Sequence, residues 1–499
     1  MLNLLFYYII YLIKEKILYF FFYYFYMKED VRNNFILVFL KILFFCFFCC
    51  KFGILLSLFS TFFLDYVYYY FLKIKFGLTP LTGYDKVFIT SKQINRVTIL
   101  WSLEFSNFNI KKMNEFITEK IIKSIGKFRS KLIYKFGEYF WKEFPFNEEI
   151  PNKNIIIKEN FSKEELNNYI NEEANTPINI FSDYPYKFNI ISSNEENKGY
   201  LIIKYDHILT DGLGLISTLC LLTDNFDYSI YPTLIQRLKS PKWYQTIYLY
   251  IVSVFYMISI SISSSLYRII KSPYKSNIKG NSKNSSFYFG KVFKLKSFEK
   301  YRKEKKVSFN DIIMTSFSRA VKEELTDNNE YKNKKNITIN LPIGYTVAPK
   351  KLSEISLYNQ ARWVLNDIPL INEKDDVKKI SKIIRKFLKP EKLFALGLLS
   401  YFQGIFFPIN ILRKYFESNS KKYDFVFSNI PGPAKKLIYN DMICDDIKLY
   451  STAGWGLPFV LILGYNGNFR SSICANENCD LNVRKLLDNF DMKIKEYIS

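Results

Sequence analysis

A chain of 499 residues has room for two or three domain-sized units. With 49% hydrophobic residues, 39 Tyr and 48 Phe, it is too apolar to be disordered. A net charge of +23 invites a phosphate-bearing partner, but no single basic block dominates, so the excess reads as compositional bias and excludes a dedicated nucleic-acid arm.

Seven cysteines and a single histidine exclude a zinc site, and the scattered thiols fit a reducing compartment. The first 78 residues are a hydrophobic leader. Leu2 to Ile13 and Ile17 to Met27 are apolar, and Ile42 to Leu64 is long enough to span a bilayer, ending at Asp65. The start lacks a basic segment and a small-residue cleavage site, so residues 1–78 are expected to form an uncleaved membrane anchor.

A globular region begins near Pro80. Val97 to Leu103 reads as a strand, Lys111 to Phe136 as a helix, and Ser162 as the N-cap of a helix to Ala174. Tyr200 to Tyr205 is an apolar run expected to be a buried strand, followed by a helix from Leu215 to Leu222. Trp243 to Tyr267 carries no charge over 25 residues. Ser286 to Leu295 and Ile337 to Ile343 read as strands. Ser308 caps a helix whose apolar face is Ile313, Phe317, Ala320, Val321 and Leu325. Asp376 to Lys389 is an amphipathic helix with Lys378, Lys379, Lys382, Arg385, Lys386 and Lys389 on its polar side. Leu393 to Leu412 is uncharged and broken by Gly404 and Pro408. Tyr423 to Ser428 is strand-like, and a hairpin is expected around Asn466-Gly467. The last helix is expected to start at Asp480 and to bury Val483, Leu486, Leu487, Phe490 and Ile494.

The one histidine, His207, follows the apolar run and precedes Asp211-Gly212. Histidine is the side chain that most easily moves protons near neutral pH. A carboxylate four residues on can pair with a distant Arg or hold the imidazole. The bare pattern equally describes a partly buried histidine beside a glycine turn. No Gly-x-Ser-x-Gly elbow, P-loop or dinucleotide fingerprint is present.

In order along the chain stand Pro80-Leu81-Thr82 with Asp85, His207-x-x-x-Asp211-Gly212, Asn310-Asp311, Asn359 and Ser428-Asn429-Ile430-Pro431-Gly432-Pro433. This ordered set resembles the wax ester synthase/diacylglycerol acyltransferase family of the coenzyme-A-dependent acyltransferases, over roughly residues 80–499. The resemblance departs at Asp206, which stands where the family has a first histidine.

The resemblance implies an α/β fold of two chloramphenicol-acetyltransferase-like subdomains with an active-site tunnel between them. The expected layout is a membrane anchor at 1–78, a first subdomain at 79–240, a hydrophobic interfacial or re-entrant segment and linker at 241–285, and a second subdomain at 286–499. It implies direct acyl transfer from acyl-CoA, a co-substrate with no permanently bound cofactor and no metal, to a long-chain alcohol or diacylglycerol. His207 would act as general base with Asp211. Asp206, Gly212, Asn310, Asp311 and Asn429 would support the site, with Asn429 as a candidate oxyanion donor or a brace for the Pro-Gly-Pro turn. Asn310 and Asp311 serve equally as a helix cap. Since these residues share one side of a membrane, Trp243–Tyr267 and Leu393–Leu412 are expected to be re-entrant, interfacial or core helices lining lipid access. A membrane location, endoplasmic reticulum or lipid droplet, follows from the same resemblance. The rival is a degenerate lipid-binding or scaffold protein of the same fold.

Overall fold

The computed structural model describes residues 54–498, apart from 82, 90–96, most of 233–283 and short breaks at 327–332, 345–346, 356, 408, 421 and 453–455. In chain order its strands are β1 (Leu78–Pro80), β2 (Thr98–Ser106), β3 (Ser130–Lys135), β4 (Glu138–Glu143), β5 (Ile155–Phe161), β6 (Tyr186–Ser193), β7 (Lys198–Asp206), β8 (Ser285–Lys294), β9 (Asn336–Ile343), β10 (Arg362–Pro369), β11 (Phe425–Ile430), β12 (Ile438–Tyr439), β13 (Met442–Ser451), β14 (Phe459–Tyr465) and β15 (Asn468–Asn476). They form two six-stranded sheets, ordered β12-β13-β2-β7-β6-β5 and β10-β9-β11-β14-β15-β8, and a small sheet β1-β4-β3.

The apolar run before His207 is an inner strand because both of its faces are covered. β7 pairs antiparallel with β2 and β6, and Leu201 to Asp206 are all buried. Lys204 lies within this run at 1% exposure and is neutralised by Glu173 at 2.6 Å. The second sheet gathers its core on the helix Phe309–Thr326, whose expected apolar face is buried as read. Phe317 stands edge-on to Phe425 and Phe490. Truncating such a side chain costs roughly 3–5 kcal/mol.

The boundary expected at 285/286 does not partition the sheets. β12 and β13, from the second half of the chain, extend the first sheet, with Ser451 opposite Ile99 and Leu449 opposite Trp101.

Several local expectations differ from the structure. The helix expected from Lys111 to Phe136 ends at Lys123, and β3 follows after a short 3-10 turn. Phe136 and Gly137 both take positive φ, 51° and 79°, making the β3–β4 hairpin turn that a helical reading overlooks. The last helix is Val483–Lys495 and is capped by Asn482, whose side chain accepts from Lys485 N, not by Asp480. Ser162 does cap its helix, in a reciprocal box with Glu165.

Of the leader, the structure describes the helix Ile54–Phe76. It runs on through Asp65, the expected end of a span, and includes Lys73 and Lys75. Leu72 packs with Leu78 and Phe140, and Tyr69 Oη donates to Glu138 Oε2 at 2.7 Å. Among the described residues no helix is long and apolar enough to cross a membrane. Trp243–Tyr267 lies mostly outside the described residues. Leu393–Leu412 is divided between the helices Pro390–Phe406 and Ile409–Ser420, which pack on the helix Gly83–Ile89. No described side chain of that run is part of the cavity wall at His207.

Candidate active site

β7 ends by turning its chain back beneath itself. Asp206 N–H donates to Pro185 O, Asp206 Oδ1 accepts from Ile208 N at 3.0 Å, and Leu209 N donates to Asp206 O. His207 N donates to Val97 O at 3.1 Å. Asp206 is thus spent, 2% exposed, on the turn that presents His207.

The His207 ring stacks on Phe88 with centroids 4.0 Å apart and planes 7° apart. Its Nδ1 is buried without a hydrogen-bond partner, and His207 forms part of the wall of a cavity. Burial holds the imidazole pKa below its usual value, opposed by its own backbone and by Asp211, Asp206 and Asn359. Burial therefore favours the neutral ring, the form that accepts a proton.

Asp211 caps the helix Gly212–Leu221. Its Oδ1 accepts from Gly214 N at 2.9 Å, and its Oδ2 accepts from Gln360 N at 2.8 Å and Ala361 N at 3.1 Å. Of the two roles expected for this carboxylate, pairing with a distant Arg or holding the imidazole, its hydrogen bonds show neither directly; its oxygens accept from main-chain N–H groups. Burial raises the Asp211 pKa against these bonds. Asp211 thereby ties the loop after His207 to the segment entering β10.

Asn359 completes the tie. Its Nδ2 donates to Asp85 Oδ1 and to the His207 carbonyl, both at 2.8 Å, and its main-chain N–H also donates to Asp85 Oδ1, at 3.1 Å. Its Oδ1 is buried without a partner. Three sequence motifs, around Asp85, His207 and Asn359, therefore meet at one point. Asp85 and Asn359 carried no functional weight in the sequence; only their place in the ordered motif set marked them.

A cavity of about 270 Å³ opens from His207 between the two large sheets. Its wall is mainly apolar, including Phe88, Trp101, Leu213, Ile384, Leu388 and Trp363. Gly212 lies at the seam, where an added Cβ would come within 3.1 Å of Ile430 Cδ1. Asn310 and Asn429 line the cavity, joined by a hydrogen bond from Asn429 Nδ2 to Asn310 Oδ1. Asp311 instead caps its helix, accepting from Ser308 N at 2.7 Å. Two lining groups escaped the sequence reading. Asn340 is 4% exposed with Oδ1 unpartnered, and Ser451 is 1% exposed with Oγ unpartnered. Each sits in a strand whose pattern signals only packing.

With the site in place, the fold can be set beside known proteins. Over 84% of this chain and 98% of the other, it is similar to the wax ester synthase/diacylglycerol acyltransferase from Marinobacter aquaeolei VT8, with 14% identity and a TM-score of 0.57. The trichothecene 15-O-acetyltransferase from Fusarium sporotrichioides matches at 10% identity and a TM-score of 0.62, over 85% and 95% of the two chains. The starter condensation domain of rhizomide synthetase, determined with C8-CoA and Leu-SNAC, matches at 9% identity and 0.53, over 84% and 93%. No curated protein matches by sequence. The chain thus has the two-domain α/β fold shared by condensation domains and CoA-dependent acyltransferases. More particularly, residues 359–497 match the family model for the WS/DGAT C-terminal domain, as the motif resemblance implied.

Proposed function

We propose that this protein is an O-acyltransferase that moves a fatty acyl group from acyl-CoA to the hydroxyl of an apolar acceptor, a long-chain alcohol or a diacylglycerol. The observation that carries this reading is His207, stacked on Phe88 and set in the wall of an apolar cavity, with burial holding its pKa below the usual value.

In this mechanism His207 Nε2 takes the hydroxyl proton as the acceptor oxygen attacks the thioester carbonyl. The C–O bond forms and the carbonyl electrons move to oxygen. The amide donors of Asn429 and Asn310, paired at the cavity wall, are the polar groups suited to face that oxyanion. The tetrahedral intermediate then collapses, the C–S bond breaks, and the proton on His207 passes to the departing CoA thiolate. Asp211 and Asn359 hold the backbone around His207 and Phe88 holds its ring; they do not react.

Membrane association at an endoplasmic-reticulum or lipid-droplet surface belongs to the same proposal. Its support is the helix Ile54–Phe76, which leaves Phe63, Tyr66, Tyr70, Phe71 and Ile74 at least half exposed, close to Lys73 and Lys75.

The test is ester synthesis by the full chain with an acyl-CoA and a panel of alcohols and diacylglycerols. Loss on His207→Ala supports the reading. Synthesis that survives this change excludes His207 as the base. A wild-type protein that binds lipid without making ester points to the scaffold alternative.

A further inference from the structure

The helix Val377–Phe387 does two things at once. Val377, Ile380 and Ile384 are buried in the second core, and Ile384 with the following Leu388 lines the cavity that His207 faces. Along the adjoining face, Lys378, Lys382 and Arg385 follow at spacings of four and three, with Lys389 four residues further. That spacing places the first three in one stripe beside the lining residues, and Lys389 follows just past the helix end, at the start of the next helix. All four are exposed.

These cations make no close ion pair, although Asp375 feels Lys378 across the start of the helix. Among the described residues, Lys378, Lys382 and Lys389 have no ion pair, and Arg385 makes only a long contact with Lys306 O, at 3.4 Å. Of the nearby acids, Asp375 and Asp376 precede the helix, with Asp375 bound to Lys305 at 3.0 Å, and Glu391 follows Lys389 in the first turn of the next helix. Positive charge therefore accumulates toward the helix C-terminus, where Ile384 and Leu388 meet the cavity. From Lys378 to Arg385 the stripe covers about 10 Å at helical rise, and Lys389 extends it past the helix end, a length that suits several phosphates in a row.

We infer that Lys378, Lys382, Arg385 and Lys389 hold the phosphates of a coenzyme A thioester outside the cavity while its acyl chain occupies the apolar wall. The inference rests on the acyl-CoA reading above and deepens it by assigning the donor side of the cavity. Alcohols and diacylglycerols carry no charge, so this mouth selects for the donor. Phosphate is also the chemistry of an anionic lipid headgroup, and the experiment separates these sources.

The full-chain variant Lys382→Glu/Arg385→Glu/Lys389→Glu, and its milder counterpart with Gln at the same positions, are compared with wild type in three measurements. Affinity for free CoA, by calorimetry, needs no catalysis; it is expected to fall roughly tenfold or more with Glu and less with Gln. KM for octanoyl-CoA is expected to rise in parallel, while turnover of S-octanoyl-N-acetylcysteamine, which has no phosphate, stays within about twofold, and the salt dependence of the octanoyl-CoA reaction weakens. The third is binding to phosphatidylserine-containing vesicles. Unchanged CoA affinity overturns the inference, as does an equal loss with both donors. Loss of vesicle binding alone assigns the stripe to the membrane and overturns it too. If wild type makes no ester but CoA binding still depends on the stripe, the acyl-transfer reading fails and the phosphate site stands.

Discussion

The side-chain amide of Asn359 donates to the main-chain carbonyl of His207 at 2.8 Å, joining residues 152 positions apart in sequence. The same amide nitrogen holds buried Asp85. The imidazole is thus placed by its backbone, gripped from the second half of the chain. Asn359→Ala is expected to lower kcat about 10- to 100-fold with a smaller change in KM, as loss of a positioning group does. Asn359→Asp should be worse, since it sets a second carboxylate against Asp85. Steady-state kinetics distinguish these from a simple folding defect if the melting temperature is recorded alongside.

Phe88 covers one face of the His207 ring, and burial depresses its pKa. The neutral ring is the active form, so the acid limb of kcat/KM should lie below pH 6.5, the usual histidine value. Phe88→Ala admits water and should move that limb upward, toward 6.5. A limb that stays in place, or moves down, contradicts the role of the stack.

Asp211→Asn keeps the shape but presents an NH2 group where an oxygen now accepts from other N–H groups. Three main-chain donors, on Gly214, Gln360 and Ala361, rely on the carboxylate. The expected loss is roughly 1–3 kcal/mol of stability, as for buried groups left unsatisfied, with a fall in kcat. Urea unfolding and turnover together check this. Full stability in the Asn variant would show that the ties are dispensable.

Lys127 lies over the Trp141 ring, 3.5 Å from its centroid, and burial pushes its pKa down to about 7, with Asp85 opposing. A lysine with a depressed folded-state pKa destabilises the protein most below that value, and the penalty fades as pH rises toward the unfolded value. Lys127→Met should therefore raise the melting temperature at pH 7, with the gain shrinking by pH 10. A gain that is constant with pH would assign it to packing alone.

The fold was legible wherever one residue pattern had one physical meaning. The alternation in Ser286–Leu295, the Asn466-Gly467 turn and the stripe Ile313 to Leu325 each became the element expected. Lys111–Phe136 failed because Leu132 and Tyr134 alternate only briefly, and the hairpin depends on Phe136 taking a positive φ, which phenylalanine rarely does. The reactive histidine could be found from its uniqueness and setting. Of its supports, Asp85, Asp211 and Asn359 are marked by their place in the ordered motif set, while Phe88 reads as core; the contacts Asn359 makes with Asp85 and His207, and Phe88 with His207, join residues far apart in sequence.

The pairing of β13 with β2 has a consequence for how the protein is made. β2 emerges from the ribosome well over three hundred residues before the strand that covers its edge, Ser451 opposite Ile99. Throughout that interval the nascent chain carries an unpaired, apolar sheet edge, the kind of surface that invites pairing with a stranger. Synthesis of this protein should accordingly lean on chaperones that shield β2 until its last neighbour arrives, and a fragment ending at residue 285 is expected to aggregate rather than fold.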